Sequence, residues 1–334
     1  MDNNILMRID NLNKDFSSRE SILGKEIQIH AVSNLSFDIY EGEVLAIVGE
    51  SGCGKTTLGK ILVELLEPTR GDIYYRGKKL REMSKKEFRT YRREVQIVHQ
   101  DPYAALNPVK TVYQTLSSVI IANGIARRSN EVREKIDELL TIVGLTPPGE
   151  FINKYPHQLS GGQRQRIVIA RAIAPNPKLI VADEAVSMID VSLRIGILNL
   201  LLKLKEELNI AYFFITHDFG VARFFAKNNR VGVMYLGEIV EFGSTEEVIR
   251  DPLHPYTKPL LSAVPVPDPN LTRSRKLLPL KSLDIPNPAN IPSGCKFSDR
   301  CPYSMDRCYR ERPELIQVDK NRLVSCFLHI KGCL

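Results

Sequence analysis

Leu159-Ser160-Gly161-Gly162-Gln163-Arg164-Gln165-Arg166 decides how this chain is read, because it lies downstream of Gly49-Glu50-Ser51-Gly52-Cys53-Gly54-Lys55-Thr56. The earlier stretch has the form G-x-x-x-x-G-K-[ST]. On its own it says only that nucleotide phosphates are cradled: backbone N–H groups and a helix N-terminus face the anion, and Lys55 reaches the β and γ phosphates. The later stretch is much narrower in meaning. A serine hydroxyl and two glycine amides at a helix start form a second anion-binding surface, one that the chain's own phosphate loop does not need.

Outward from these two stretches, the pattern is that of an α/β fold. Residues 5 to 48 read as short β runs, with a turn at Glu41-Gly42 and VLAIV leading into the phosphate loop, and Lys55 to Leu66 reads as a helix with one buried face, ended before Pro68. The strand VQIV leads to His99-Gln100-Asp101-Pro102, and helical periodicity recurs in 111 to 122 and in 130 to 143, with Asn130 as the expected cap. This places an α-helical insert at about residues 101–160. Beyond Gln163 come the apolar strand Leu179 to Ala182 ending in Asp183-Glu184, a helix over 192 to 208, and the buried strand AYFFIT closing on His217-Asp218. Strands apolar on both faces that alternate with helices predict a mainly parallel sheet covered on both sides. Composition changes near 251, where DPLHPYTKPLLSAVPVPDPN is dense in proline, so the expected domains are 1–250 and a small Cys-rich 251–334.

Bulk properties exclude several classes. With 334 residues, 43% hydrophobic and 25% charged, the chain reads as globular and soluble. No apolar run approaches the roughly 20 residues needed to cross a bilayer, and MDNNILMRID lacks the basic-then-apolar order of a signal peptide, so the expected location is the cytoplasm. The net charge of +7 is spread along the chain in short clusters, such as Arg89, Arg92 and Arg93 or Arg273, Arg275 and Lys276, which suits ordinary solvated faces better than a nucleic-acid footprint.

The chemistry falls on a few residues. Thr56 can ligate Mg²⁺ through its hydroxyl, Asp183 ends a strand where a carboxylate holds the magnesium shell, and Ser51 and Thr57 are supporting donors. Glu184, beside that aspartate, is the candidate base that orients and polarises the attacking water. The adenine ring wants an aromatic platform from the N-terminal strands; Phe16 matches best, with core packing as its rival role.

Together, the loop and LSGGQ resemble the ATP-binding subunits of ABC transporters, a P-loop NTPase family, over approximately residues 1 to 250. The resemblance implies that His217 is the switch histidine that hydrogen-bonds the γ-phosphate, and that Gln100 is the Q-loop residue that reaches magnesium or water and links nucleotide state to the insert. It further implies head-to-tail pairing with a second ATP-binding subunit, identical or related, so that Ser160, Gly161, Gly162 and Gln163 of one close on the ATP held by Gly49, Ser51, Gly52, Cys53, Gly54, Lys55, Thr56 and Thr57 of the other. Asp190 matches the D-loop aspartate linking the two sites. One departure stands out: the family usually has proline after the catalytic glutamate, and this chain has Ala185. Without proline's fixed φ, Glu184 is expected to be looser, although its carboxylate is kept.

The tail adds detail. Cys295, Cys301, Cys308 and Cys326 have the spacing C-x5-C-x6-C-x17-C, which suits an iron–sulfur cluster, zinc or free thiols, while Cys53 and Cys333 read as incidental. That spacing, with His254-Pro255-Tyr256, resembles the C-terminal segment of oligopeptide and dipeptide importer ATPases, and implies a [4Fe–4S] cluster, with zinc as the alternative. The function implied is ATP hydrolysis powering import of oligopeptides or dipeptides, at the cytoplasmic face of the membrane. The implied partners are two transmembrane permease subunits and an extracytoplasmic substrate-binding protein; no nucleic acid is expected. Oligosaccharide import by the same machinery, and a soluble ABC ATPase acting on nucleic acid or ribosomes, are the competing readings.

Overall fold

The computed structural model describes residues 4–19, 26–263, 280–284, 286 and 291–330. The N-terminal β runs are longer than expected: β1 (Ile5–Arg19) and β2 (Glu26–Tyr40) are antiparallel strands of 15 residues each, interrupted by register shifts. After β3 (Val44–Val48) and α1 (Lys55–Leu62), the strands β4 (Arg70–Tyr75) and β5 (Lys78–Lys79) complete a four-stranded antiparallel sheet in the order β2-β1-β4-β5. The helix α1 stops four residues before Leu66, and Glu64 turns the chain out with φ +56.

Next come α2 (Lys85–Glu94) and β6 (Val95–Val98), and then the insert, built from α3 (Pro102–Ala105), α4 (Val112–Ala122) and α5 (Ser129–Ile142). Its last helix is capped two residues earlier than expected: Arg128, not Asn130, is the N-cap, and Glu131 accepts from its amide at 3.4 Å. The helix α6 (Gly161–Ile173) then leads to β7 (Leu179–Asp183), α7 (Val191–Leu208), β8 (Ala211–Thr216), α8 (Phe219–Phe225), β9 (Arg230–Tyr235) and β10 (Glu238–Ser244).

The main sheet is mixed, the expected parallel strands forming one part of it and antiparallel strands the other. Its order is β11-β12-β10-β9-β3-β8-β7-β6, where β11 (Ile316–Asp319) and β12 (Arg322–Val324) come from the tail. Neighbours from β9 through β6 are parallel, while β10, β12 and β11 are antiparallel to their neighbours. Side-chain alternation divides the core in two. Ala46, Val48, Ile180, Ala182, Tyr212 and Phe214 face α6, α7 and the insert, whereas Leu45, Ile47, Val181, Phe213 and Ile215 face α1 and the antiparallel sheet.

Beyond the expected boundary at 251, the chain returns to the main sheet through β12 and β11. After α9 (Thr245–Arg250) come α10 (Thr257–Ser262) and α11 (Asp306–Arg310), and Glu241 of β10 ties the entry to α10 and β12 to the sheet. That carboxylate is fully buried and accepts from the amides of Leu253 (2.8 Å) and His254 (3.0 Å), from Thr257 Oγ1 (2.6 Å) and from Arg322 Nη2 (3.0 Å). Four donors on one buried carboxylate offset its loss of hydration. Burial pushes the neighbouring His254 imidazole down to about 3, with His329 adding to the effect.

Candidate functional site

The phosphate loop joins β3 to α1, so its backbone follows a strand buried at every position. Two glycines are required by close approach. A Cβ on Gly49 would lie 2.2 Å from Met234 O, and one on Gly54, which has φ +105, would lie 2.0 Å from Ala31 O. Lys55 is buried, and its Nζ donates to Gly49 O (2.7 Å) and Glu50 O (2.8 Å), so it is held within the loop it is to serve. Cys53 packs into the core beneath the loop, and burial pushes its thiol up in spite of the neighbouring Lys55.

The carboxylates at the end of β7 meet the loop and two neighbouring strands. Thr56 Oγ1 donates to Asp183 Oδ1 at 3.1 Å, and Asp183 is buried, which raises its pKa against the help of Thr56 and with the added charge of Glu184. A divalent cation at this point would reverse that penalty, and a hydroxyl with a carboxylate is the donor set magnesium prefers. Glu184 receives Gln100 Nε2 at 3.0 Å on one oxygen and faces His217 Nδ1 at 3.3 Å with the other. Three residues 84 and 33 positions apart therefore converge on one point, each at the C-terminal end of a parallel strand.

Ala185 does not leave Glu184 loose. Glu184 itself has φ +46, outside the usual range for a side chain of its size. Its conformation is held from several directions: Glu184 N donates to Ile215 O (3.0 Å), the Ser187 amide and hydroxyl both donate to Glu184 O (3.0 Å each), and Gln165 Nε2 donates to the carbonyl of the buried Ala185 (2.8 Å). These bonds replace the constraint that proline would supply.

A cleft of about 590 Å³ spans this constellation. Ser51 to Thr57, Gln100, Glu184 and His217 line it, together with Ser187 and Met188. Its remaining wall is Ile29, His30 and Ala31 of β2, with Leu236, Gly237 and Ile291, which the sequence reading did not single out. Phe16 is not in that wall; it pairs with Ile29 across the β1–β2 ladder, is 38% exposed and carries Lys14 Nζ at 5.2 Å from its ring.

The Ser160 surface lies apart from that cleft. Ser160 is exposed and caps α6 in a reciprocal box, its Oγ accepting from Gln163 N (3.2 Å) while Gln163 Oε1 accepts from Ser160 N (3.0 Å). Gly161 and Gly162 open the helix behind it, leaving amide donors at a positive helix end. Asp190 is exposed at the start of α7, on a turn pinned by Arg194, whose guanidinium donates to Ile189 O (3.1 Å) and Ser187 O (3.2 Å).

Residues 32–187 match the ABC transporter family, and residues 240–308 match the oligopeptide/dipeptide transporter C-terminal region. The dipeptide transport ATP-binding protein DppF of Haemophilus influenzae is 42% identical over 98% of this chain and 97% of its own. This chain belongs to the ABC transporter ATP-binding family. The oligopeptide transport ATP-binding protein AppF of Bacillus subtilis is 41% identical over 97% of each chain. Among solved structures, the dimeric post-hydrolysis ATP-binding cassette MJ0796 bound to ADP and Pi superposes with a TM-score of 0.62 at 32% identity, covering 72% of this chain and 98% of that one. Like other members of the family, this cassette is an ATPase. No helix among the described residues is long and apolar enough to cross a membrane.

The tail of the cassette brings Cys295, Cys301, Cys308 and Cys326 to one cavity of about 20 Å³, with His254 and Phe297 in the same wall. Nothing in that arrangement lends support to the expected [4Fe–4S] cluster, or to zinc in its place. Among the described residues no three His, Cys, Asp or Glu side chains are placed to hold a metal ion, and the space is about that of one water. Burial pushes the Cys295 thiol up to about 12 and the Cys326 thiol up to about 11. None of the four is in a disulfide. Cys333, Arg273, Arg275 and Lys276 lie outside the described residues.

Proposed function

We propose that this ATPase powers import of oligopeptides or dipeptides, as the peripheral subunit on the cytoplasmic face of a membrane permease. The observation that carries the catalytic part is the meeting of Gln100, Glu184 and His217 beside the Thr56–Asp183 pair. In this reading Lys55 and the loop amides take the ATP phosphates, and Thr56, Asp183 and Gln100 would hold Mg²⁺, which would supply positive charge against the phosphates. Glu184 accepts the proton of the attacking water, His217 orients it against the γ-phosphate, and Gln100 reports nucleotide state to the insert. Phe16 remains the proposed adenine platform, reached through its place beside Ile29.

The separation of the Ser160 surface from the cleft favours a composite site. Ser160, Gly161, Gly162 and Gln163 serve the ATP of a second ATP-binding subunit facing head to tail, and Asp190 lies at their junction. The names of the relatives favour peptides over oligosaccharides as cargo, with an extracytoplasmic binding protein delivering them to two permease subunits. The experiment is the ATPase rate of the assembled complex with binding protein, in the presence of short peptides and then of oligosaccharides. Stimulation by peptides alone is expected; stimulation by sugars alone overturns the cargo, and indifference to both in a complete complex overturns the importer reading.

A further inference from the structure

An acidic residue sits inside the anion-binding loop. Glu50 is the second residue of the phosphate loop, and a free carboxylate there would oppose the charge of a bound triphosphate. The structure pairs it with a cation from the far end of the chain: Arg300 donates from Nη1 (2.7 Å) and Nη2 (2.9 Å) to the two oxygens of Glu50, a bidentate arrangement across 250 residues. The Arg300 side chain is 4% exposed and that of Glu50 23%, so water screens the pair only in part. Arg300 also lies over the rings of Tyr235 (5.7 Å) and Phe297 (5.8 Å), which hold the guanidinium in place.

The same extension holds the backbone of the loop. Glu50 N donates to Tyr256 Oη at 3.0 Å, and Tyr256 is buried against Tyr235 and Phe297. On the facing wall of the cleft, buried Lys296 donates to Leu236 O (2.6 Å) and Ser33 Oγ (3.1 Å), and Gly237 N donates to Cys53 O (2.8 Å). The turn that carries Lys296 and Arg300 is the one that carries Cys295 and Cys301, with Cys301 N donating to Phe297 O at 2.9 Å.

We propose that Arg300 is a positioning residue for nucleotide binding: it neutralises and fixes Glu50, so that the phosphate loop keeps its shape and its positive field only when the cysteine-bearing extension is docked. The extension is thereby a part of the nucleotide site. A simple structural staple would hold the loop by contact alone, and the two ideas part on charge. If neutralisation is what counts, removing the cation harms binding because a bare carboxylate remains, and removing that carboxylate as well repairs the damage.

The test is Mg²⁺–ATPγS affinity of the full chain by calorimetry, with kcat and KM for ATP, for Arg300→Ala, Arg300→Lys and the double variant Glu50→Gln/Arg300→Ala. Arg300→Ala is expected to raise Kd and KM about tenfold, or about 1.4 kcal/mol, with kcat within about twofold. Arg300→Lys should fall between it and the parent, since a lysine supplies the charge without the fork. The double variant should return to within about threefold of the parent. The proposal is overturned if Arg300→Ala binds as the parent does, or if the double variant binds as poorly as Arg300→Ala. Should Arg300→Ala fail to fold, Arg300→Gln decides: it keeps hydrogen-bond donors without the charge, so weakened binding supports the proposal and unchanged binding overturns it.

Discussion

Replacing Arg322 by alanine should destabilise the whole cassette, and the amount can be worked from the surroundings of Glu241. The guanidinium is 6% exposed, the carboxylate not at all, and their contact is 3.0 Å. Breaking a buried pair from one side costs about 3–5 kcal/mol, because the remaining charge loses its partner while staying out of water. Glu241 would keep three donors, the amides of Leu253 and His254 and the hydroxyl of Thr257, which places the cost near the lower figure. Arg322 also donates to Asp251 O, so one carbonyl would lose its donor as well. A loss of about 3 kcal/mol corresponds to roughly 4 °C in Tm for a protein of this size. Thermal and urea unfolding of the parent, Arg322→Ala and Glu241→Gln/Arg322→Ala would measure it, with the double variant recovering part of the loss because the stranded charge is gone. An Arg322→Ala variant within about 1 kcal/mol of the parent would refute the reasoning, since it would mean that water reaches Glu241 or that its three other donors suffice.

Three further expectations concern the site and its pH response. Glu184→Gln should lower kcat by about 10²–10⁴-fold while ATP binding persists; turnover near the parent's would remove Glu184 from the role of base. Gly54→Ala places a methyl 2.0 Å from Ala31 O at a backbone angle of +105, and should abolish binding of a nucleotide analogue, which equilibrium dialysis would detect. Because His254 is held near 3 in the fold against 6.5 when free, the unfolded chain takes up its proton first. The associated stability is therefore complete above pH 6.5 and declines as pH falls toward 3, by up to about 1.4 kcal/mol per pH unit. His254→Asn should flatten the stability profile between about pH 6.5 and 5, and an unchanged slope would place the titration elsewhere.

The nucleotide site was legible because its demands are local. A loop that bends at Gly49 and Gly54, a strand that ends in Asp183-Glu184, and a helix that opens on Ser160 and Gly161 each need a contiguous run of particular residues. The convergence of Gln100 and His217 on Glu184 was reached through family resemblance, and the parallel order of β6, β7 and β8 supplies its physical cause. What stayed hidden depends on partners distant in sequence. Alternation marks β2 as a strand without saying that Ile29 and Ala31, instead of Phe16, face the cleft. Nothing in the spacing of Cys295 to Cys326 distinguishes a ligand set from thiols around an apolar pocket, because that depends on where backbone turns aim each sulfur. The contact of Arg300 with Glu50 likewise joins two charges, neither of which is unusual alone.

The return of the tail to β10 also governs how the molecule behaves toward other chains. A strand at the side of a sheet offers a row of free amides and carbonyls to any passing strand, and β12 covers those of β10 at Glu241 and Phe242. The outermost place passes to β11, which is only four residues long and mostly exposed, ending in Asp319 with Lys320 and Asn321 in the turn. Short length and polar flanks make a poor template for association. A version cut after residue 250 would therefore expose both the ladder and the charge of Glu241, and would be expected to self-associate where the whole chain remains dispersed.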